Sequence, residues 1–148
     1  MRNHGNQNYF DNEVLAASPL KLIEMLYGGA LDSIAEARRH IRRADIAART
    51  RAINKALRIV TELTRCLNHE AGGELSRNLA AIYDYVSRLL IDSNSRQNEA
   101  PLAEAENLLA MLAEAWKTCT PAGHETGLVV QDLLIPDVYS SEALPIGR

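Results

Sequence analysis

Ser18-Pro19-Leu20-Lys21-Leu22-Ile23-Glu24-Met25-Leu26-Tyr27-Gly28-Gly29-Ala30-Leu31 is the stretch that decides the fold class. Ser18 can accept a hydrogen bond from an orphan amide at a helix start, and Pro19 stands where its missing N–H costs nothing. Apolar side chains then recur at Leu22, Ile23, Leu26, Tyr27, Ala30, Leu31 and Ile34, the spacing of a helix with a broad buried face. Two glycines inside a helix cost roughly 1 kcal/mol each against alanine. Their physical use is close approach, because a neighbour can reach the bare backbone. This helix therefore carries core on one face and can admit a partner near Gly28 and Gly29.

Working outward, the same spacing recurs three more times. Helix 1 is expected from Pro19 to Arg43, with Arg38, Arg39, Arg42 and Arg43 complementing its C-terminal dipole. Asp45 can cap a second helix whose stripe reads Ile53, Ala56, Leu57, Val60, Leu63 and Leu67 and which Gly72-Gly73 is expected to end. A third carries Leu75, Leu79, Ile82, Val86, Leu89 and Leu90 and runs to about Arg96. The fourth has Pro101 in its first turn, a stripe of Leu102, Ala105, Leu109, Leu112, Trp116 and Cys119, and a stop at Thr120-Pro121. Four amphipathic helices joined by short links predict an all-α fold, an antiparallel up-down-up-down four-helix bundle over residues 18–119.

Two flanks lie outside that pattern. Residues 1–8 are polar and without period, so they read as disordered, whereas 9–17 carry Tyr9, Phe10, Val14 and Leu15 and are expected to pack on the bundle. Residues 120–148 form an apolar C-terminal extension, with Leu128-Val129-Val130-Gln131-Asp132-Leu133-Leu134-Ile135 at its centre. That run is expected to fold back onto the bundle and compete for, or extend, an apolar groove.

Composition narrows the function. The chain of 148 residues is 47% hydrophobic and only 5% aromatic, which favours helices over sheets and one sizeable core. A net charge of −3 gives no bias toward nucleic acid, and no aromatic residue interleaves the arginines to stack bases. No run is apolar enough to span a bilayer and the polar start is no secretory signal, so no stable membrane insertion is expected. Cys66 and Cys119 stand far apart at helix-facing positions, as small core residues of a reducing compartment; a cytoplasmic location follows.

No catalytic or metal constellation emerges. His69-Glu70 lacks the second histidine of a zincin helix, since Gly73 stands there, and no Glu-x-x-His pair exists for a di-iron bundle. Cofactors and metals are therefore not expected, nor is an enzyme. One rival reading is a phosphotransfer bundle using His40 among its arginines; another is a self-associating structural module. What stands out is apolar surface beyond the roughly three positions per heptad that a bundle helix needs. Helix 1 exceeds this most, with Leu22, Ile23, Met25, Leu26, Tyr27, Ala30 and Leu31 covering most of its circumference. Either a segment of the chain or a partner helix covers the excess.

An ordered series of fragments runs along the chain: Tyr9 and Val14, Ala17-Ser18-Pro19, Leu22, Met25-Leu26-Tyr27, Gly29-Ala30, Asn54-Lys55-Ala56, Ile59 and Leu63. Leu67-Asn68, Gly72-Gly73-Glu74-Leu75, Asn78-Leu79, Tyr83-Asp84-Tyr85, Arg88, Leu90, Asn94 and Ala115-Trp116-Lys117 continue it. In order and spacing these fragments resemble those of the flagellin-specific export chaperone family, FliS. The resemblance implies a cytoplasmic chaperone that binds the C-terminal segment of flagellin in apolar grooves, prevents its premature polymerisation and aids delivery to the flagellar type III export gate. It implies that Tyr9, Val14 and Leu15 belong to a segment lying over the groove. The candidate contacts are Tyr27, Ile59, Leu63, Tyr83 and Leu90, with Asn54 and Asn94 as polar anchors; core packing is the alternative for each apolar member. Gly28, Ala16, Leu89 and Ser93 depart from the family pattern, and Gly28 removes a polar anchor.

Overall fold

The computed structural model describes residues 18–118, which form four helices: α1 (Pro19–Arg42), α2 (Ile46–Arg65), α3 (His69–Arg96) and α4 (Ala100–Thr118). The expectations for residues 1–17, including Tyr9, Val14 and Leu15, and for the C-terminal extension lie outside the described residues. The starts of the first three helices are each set by a side chain. Ser18 Oγ accepts from Lys21 N at 3.2 Å, Asp45 Oδ1 from Ala48 N at 3.1 Å and Asn68 Oδ1 from Ala71 N at 3.0 Å. Gln97 caps the end of α3 in the left-handed region at φ 54°.

Cross-helix contacts fix the direction of every helix. Arg38 reaches Glu106 and Arg42 reaches Glu99, so α1 and α4 run antiparallel. Arg49 at the start of α2 meets Asn94 at the end of α3, and the short link of residues 66–68 joins the end of α2 to the start of α3, so α2 and α3 also oppose. Tyr85 hydrogen-bonds Glu104 between α3 and α4. Each helix packs on its chain neighbour and α4 closes on α1, which makes an antiparallel four-helix bundle.

The core follows the predicted stripes except at Leu75, which the kink at Gly73 leaves near the helix start and 42% exposed. Ile23, Ile34, Ile53, Val60, Leu63, Val86, Leu90, Leu102 and Leu109 are all at most 2% exposed, each worth about 1.5–3 kcal/mol of burial. Small residues let α1 and α2 approach most closely. Ala30, Ala37, Ala48, Ala52 and Ala56 line that seam, and a Cβ on Gly29 would stand 3.3 Å from Ile59 Cδ1. Gly29 thus receives a neighbour, as its position inside the helix predicts, and the neighbour is α2.

One boundary differs from the sequence expectation. Gly72-Gly73 does not end the second helix; α2 stops at Arg65 and α3 already starts at His69. Asn68 supplies the cap, and Gly73 absorbs a kink inside α3 with φ 55° and ψ −129°. That conformation is open to glycine and strained for any residue with a Cβ. Gly73→Ala is expected to lower stability by about 1–2 kcal/mol although a Cβ there would meet no atom within 4 Å, a loss readable by urea denaturation. An unchanged midpoint would show that the kink relaxes freely.

Candidate functional site

The polar centre of the bundle joins three helices. Tyr27 of α1 and Tyr83 of α3 place their hydroxyls 2.5 Å apart, and Trp116 Nε1 of α4 donates to Tyr27 Oη at 3.0 Å. The rings are tilted, with centroids 6.4 Å apart for the tyrosine pair and 6.5 Å for Tyr27 and Trp116. Burial pushes both phenols above their ordinary value, so both hydroxyls stay protonated as hydrogen-bonding groups.

This arrangement places four of the candidate contacts inside. Tyr27, Leu63 and Tyr83 are 1% exposed and Leu90 is fully buried. Leu63, Tyr83 and Leu90 shape the bundle from within, while Tyr27, buried as it is, also borders a cleft between α1 and α4. The physical reason is pairing: each tyrosine finds a polar partner on another helix, which allows its whole ring to be buried.

Asn94 is also engaged. Its Oδ1 accepts from Arg49 Nε at 3.0 Å and from Thr50 Oγ1 at 3.2 Å, and its carbonyl accepts from the Arg49 guanidinium at 3.3 Å. Arg49 is only 6% exposed, so Asn94 solvates a buried cation and ties the start of α2 to the end of α3. Asn54 is exposed, and Ile59 is half-buried, its Cδ1 turned toward Gly29 and the rest of its side chain at the surface.

Two of the arginines around His40 are already occupied. Arg38 Nη1 lies 2.7 Å from Glu106 and Arg42 Nε 2.6 Å from Glu99, both on α4 or its leading turn. Hydrogen bonding from Arg42 holds the Glu99 carboxyl below its usual range. His40 Nε2 faces Glu36 at 3.6 Å. A phosphoryl group arriving at His40 would meet a carboxylate, with two of the nearby guanidiniums committed to α4. The geometry gives the phosphotransfer reading no support.

An open cleft lies elsewhere, between the start of α1 and the end of α4. Its volume is about 370 Å³; Met25, Tyr27, Leu31 and Ala113 form an apolar floor and Lys21, Glu24 and Lys117 the rim. Gly28 borders it, and a Cβ at that position would meet nothing within 4 Å. The two adjacent glycines therefore do different things: Gly29 admits α2, and Gly28 leaves an unfilled depression. Sequence reading flagged the excess apolar surface of α1 but not its α4 wall, because Ala113 and Lys117 carry no distinctive pattern.

The described residues define an all-α four-helix bundle with a paired polar core and an apolar cleft between its first and last helices. The family model for "Flagellar protein FliS" matches residues 1–123. The flagellar secretion chaperone FliS of Salmonella typhimurium is 39% identical over 112 residues, 75% of this chain and 83% of that protein. Its counterpart in Campylobacter jejuni is 38% identical over 109 residues, covering 74% and 85% respectively. That of Bacillus subtilis is 36% identical over 109 residues, covering 74% and 80%. The chain belongs to the FliS family, and with it to the flagellar secretion chaperones. Among the described residues no helix is long and apolar enough to cross a membrane.

Proposed function

We propose that this protein is a cytoplasmic chaperone for flagellin, binding the C-terminal segment of a newly made subunit as an amphipathic helix. Bound in this way, the segment is kept from polymerising early and the subunit is handed to the flagellar export gate. The observation that carries the reading is the α1–α4 cleft in a FliS-family bundle, an apolar floor beside a bare Gly28 that no described residue covers. Helix-in-groove binding needs such a floor, and a segment that folds on binding gains a large wrapped surface to offset its ordering entropy. Ile59 and Asn54 extend the contact onto α2. Tyr27, Leu63, Tyr83 and Leu90 contribute by holding the helices that form the surface.

Calorimetric titration of the full chain with a peptide from the C-terminal end of flagellin tests this. One-to-one binding with a large negative heat-capacity change is expected, the mark of apolar burial coupled to folding. Met25→Asp, in the cleft floor, is expected to weaken the affinity about 10- to 100-fold with helical circular dichroism unchanged, the size of a binding hot spot. The same weakening is expected of Ile59→Asp. Absence of binding by the unmodified chain would overturn the flagellin assignment, and undiminished binding by Met25→Asp would remove the cleft from the site.

A further inference from the structure

We infer that the α1–α4 cleft is the docking site of this chain's own C-terminal extension, with the run Leu128–Ile135 as its occupant. Three observations converge. The first is place: Lys117, on the cleft rim, stands one residue before the end of α4, and the chain continues for thirty residues beyond Thr118. The ten residues from Thr118 to Leu128 can span up to about 33 Å when extended, whereas the Lys21–Leu31 wall of the cleft is about 15 Å long. Thr120-Pro121-Ala122-Gly123 supplies turn-forming residues where the chain must reverse.

The second is apolar match. Leu128, Val129, Val130, Leu133, Leu134 and Ile135 fill six of eight positions in the run. They find on α1 and α4 a floor of Met25, Leu31 and Ala113 and the space left by Gly28. The third is charge. Glu125, Asp132, Asp137 and Glu142 against Arg148 give the extension a formal charge of −3, which is the net charge of the whole protein. The cleft rim offers Lys21 and Lys117, each only loosely paired on the exposed surface, with Glu24 at 3.8 Å and Glu114 at 3.9 Å. Asp132 sits in the middle of the apolar run. Residues 1–17, which precede α1 in the sequence, carry Asp11 and Glu13 against Arg2 and make a weaker electrostatic match. A client helix entering the same cleft would have to displace the extension, a consequence that rests on the flagellin reading; the docking itself does not.

The test uses the full-length chain and no flagellin, so its result is independent of the client assignment. Gly28→Cys places a thiol in the cleft at a helical position with open space, in a Cys119→Ser background; Cys66 is 1% exposed and reacts slowly. Its alkylation rate is compared with that of the same protein carrying Leu133→Asp and Leu134→Asp. The extension is expected to slow alkylation about tenfold, the occupancy that a docking preference of about 1.4 kcal/mol gives. The double aspartate variant is expected to abolish this protection, and Lys21→Glu with Lys117→Glu to reduce it. Equal rates in the unmodified and double aspartate extensions would overturn the proposal. So would protection that rises with protein concentration, which marks a second copy as occupant, or protection that removal of residues 1–17 abolishes.

Discussion

Tyr27→Phe is expected to cost about 3–4 kcal/mol of stability, far more than the loss of one hydroxyl suggests. The change strands two buried groups together, the Trp116 indole N–H and the Tyr83 hydroxyl, and each orphaned group costs about 1–3 kcal/mol. For a bundle of this size that corresponds to a fall in Tm of more than about 10 °C. Tyr83→Phe leaves the Trp116–Tyr27 bond in place and is expected to cost only about 1 kcal/mol. Equal losses from the two substitutions would show that Tyr27 is not the hub. The same pair predicts alkaline sensitivity. Burial raises both phenols above the ordinary value of 10.0, so the folded state holds protons that the unfolded chain releases. Their stabilising contribution is complete below about pH 10 and is lost as pH rises toward the folded values. Stability is therefore expected to fall as pH rises above 10, and Tyr83→Phe is expected to make that fall shallower, readable as urea midpoints across the alkaline range.

The tyrosine hub also shows where sequence reading stops. Ser18 and Asp45 were legible as caps because a cap is a local hydrogen bond within four residues. The helical stripes were legible because burial recurs every 3.6 residues. Which stripe member faces inward was not legible for Tyr27 and Tyr83, since their partners lie on helices 56 and 89 residues away along the chain. A tyrosine beside a stripe looks the same whether its hydroxyl reaches water or another ring. The Gly72-Gly73 pair misled for a related reason: glycine permits the same positive φ at a helix end and at a kink, and Asn68 decides between them by capping a new helix first. Gly28 and Gly29 were singled out together, and only the packing of α2 and α4 separates a close approach from an open depression.

Asn94→Ala is the second large effect, about 3 kcal/mol of lost stability at neutral pH. Asn94 supplies two oxygens to a guanidinium that is 6% exposed, and bonds to a charged group are worth about 1.5–3 kcal/mol each. The backbone carbonyl survives the substitution; the Oδ1 bonds from Arg49 Nε and the Thr50 hydroxyl do not. Arg49 then keeps its charge without the amide oxygen that solvates it, and it cannot shed a proton to escape the cost. Asn94→Asp preserves an acceptor at the same place and adds an opposite charge, so it is expected to retain most of the stability. The pair of variants separates two roles that one sequence leaves superimposed. If Asn94 anchored a partner directly, alanine would weaken flagellin binding at unchanged Tm. A buried tie between α2 and α3 instead makes Tm fall with alanine and recover with aspartate, with binding following stability, because the amide oxygen is already shared by Arg49 and Thr50.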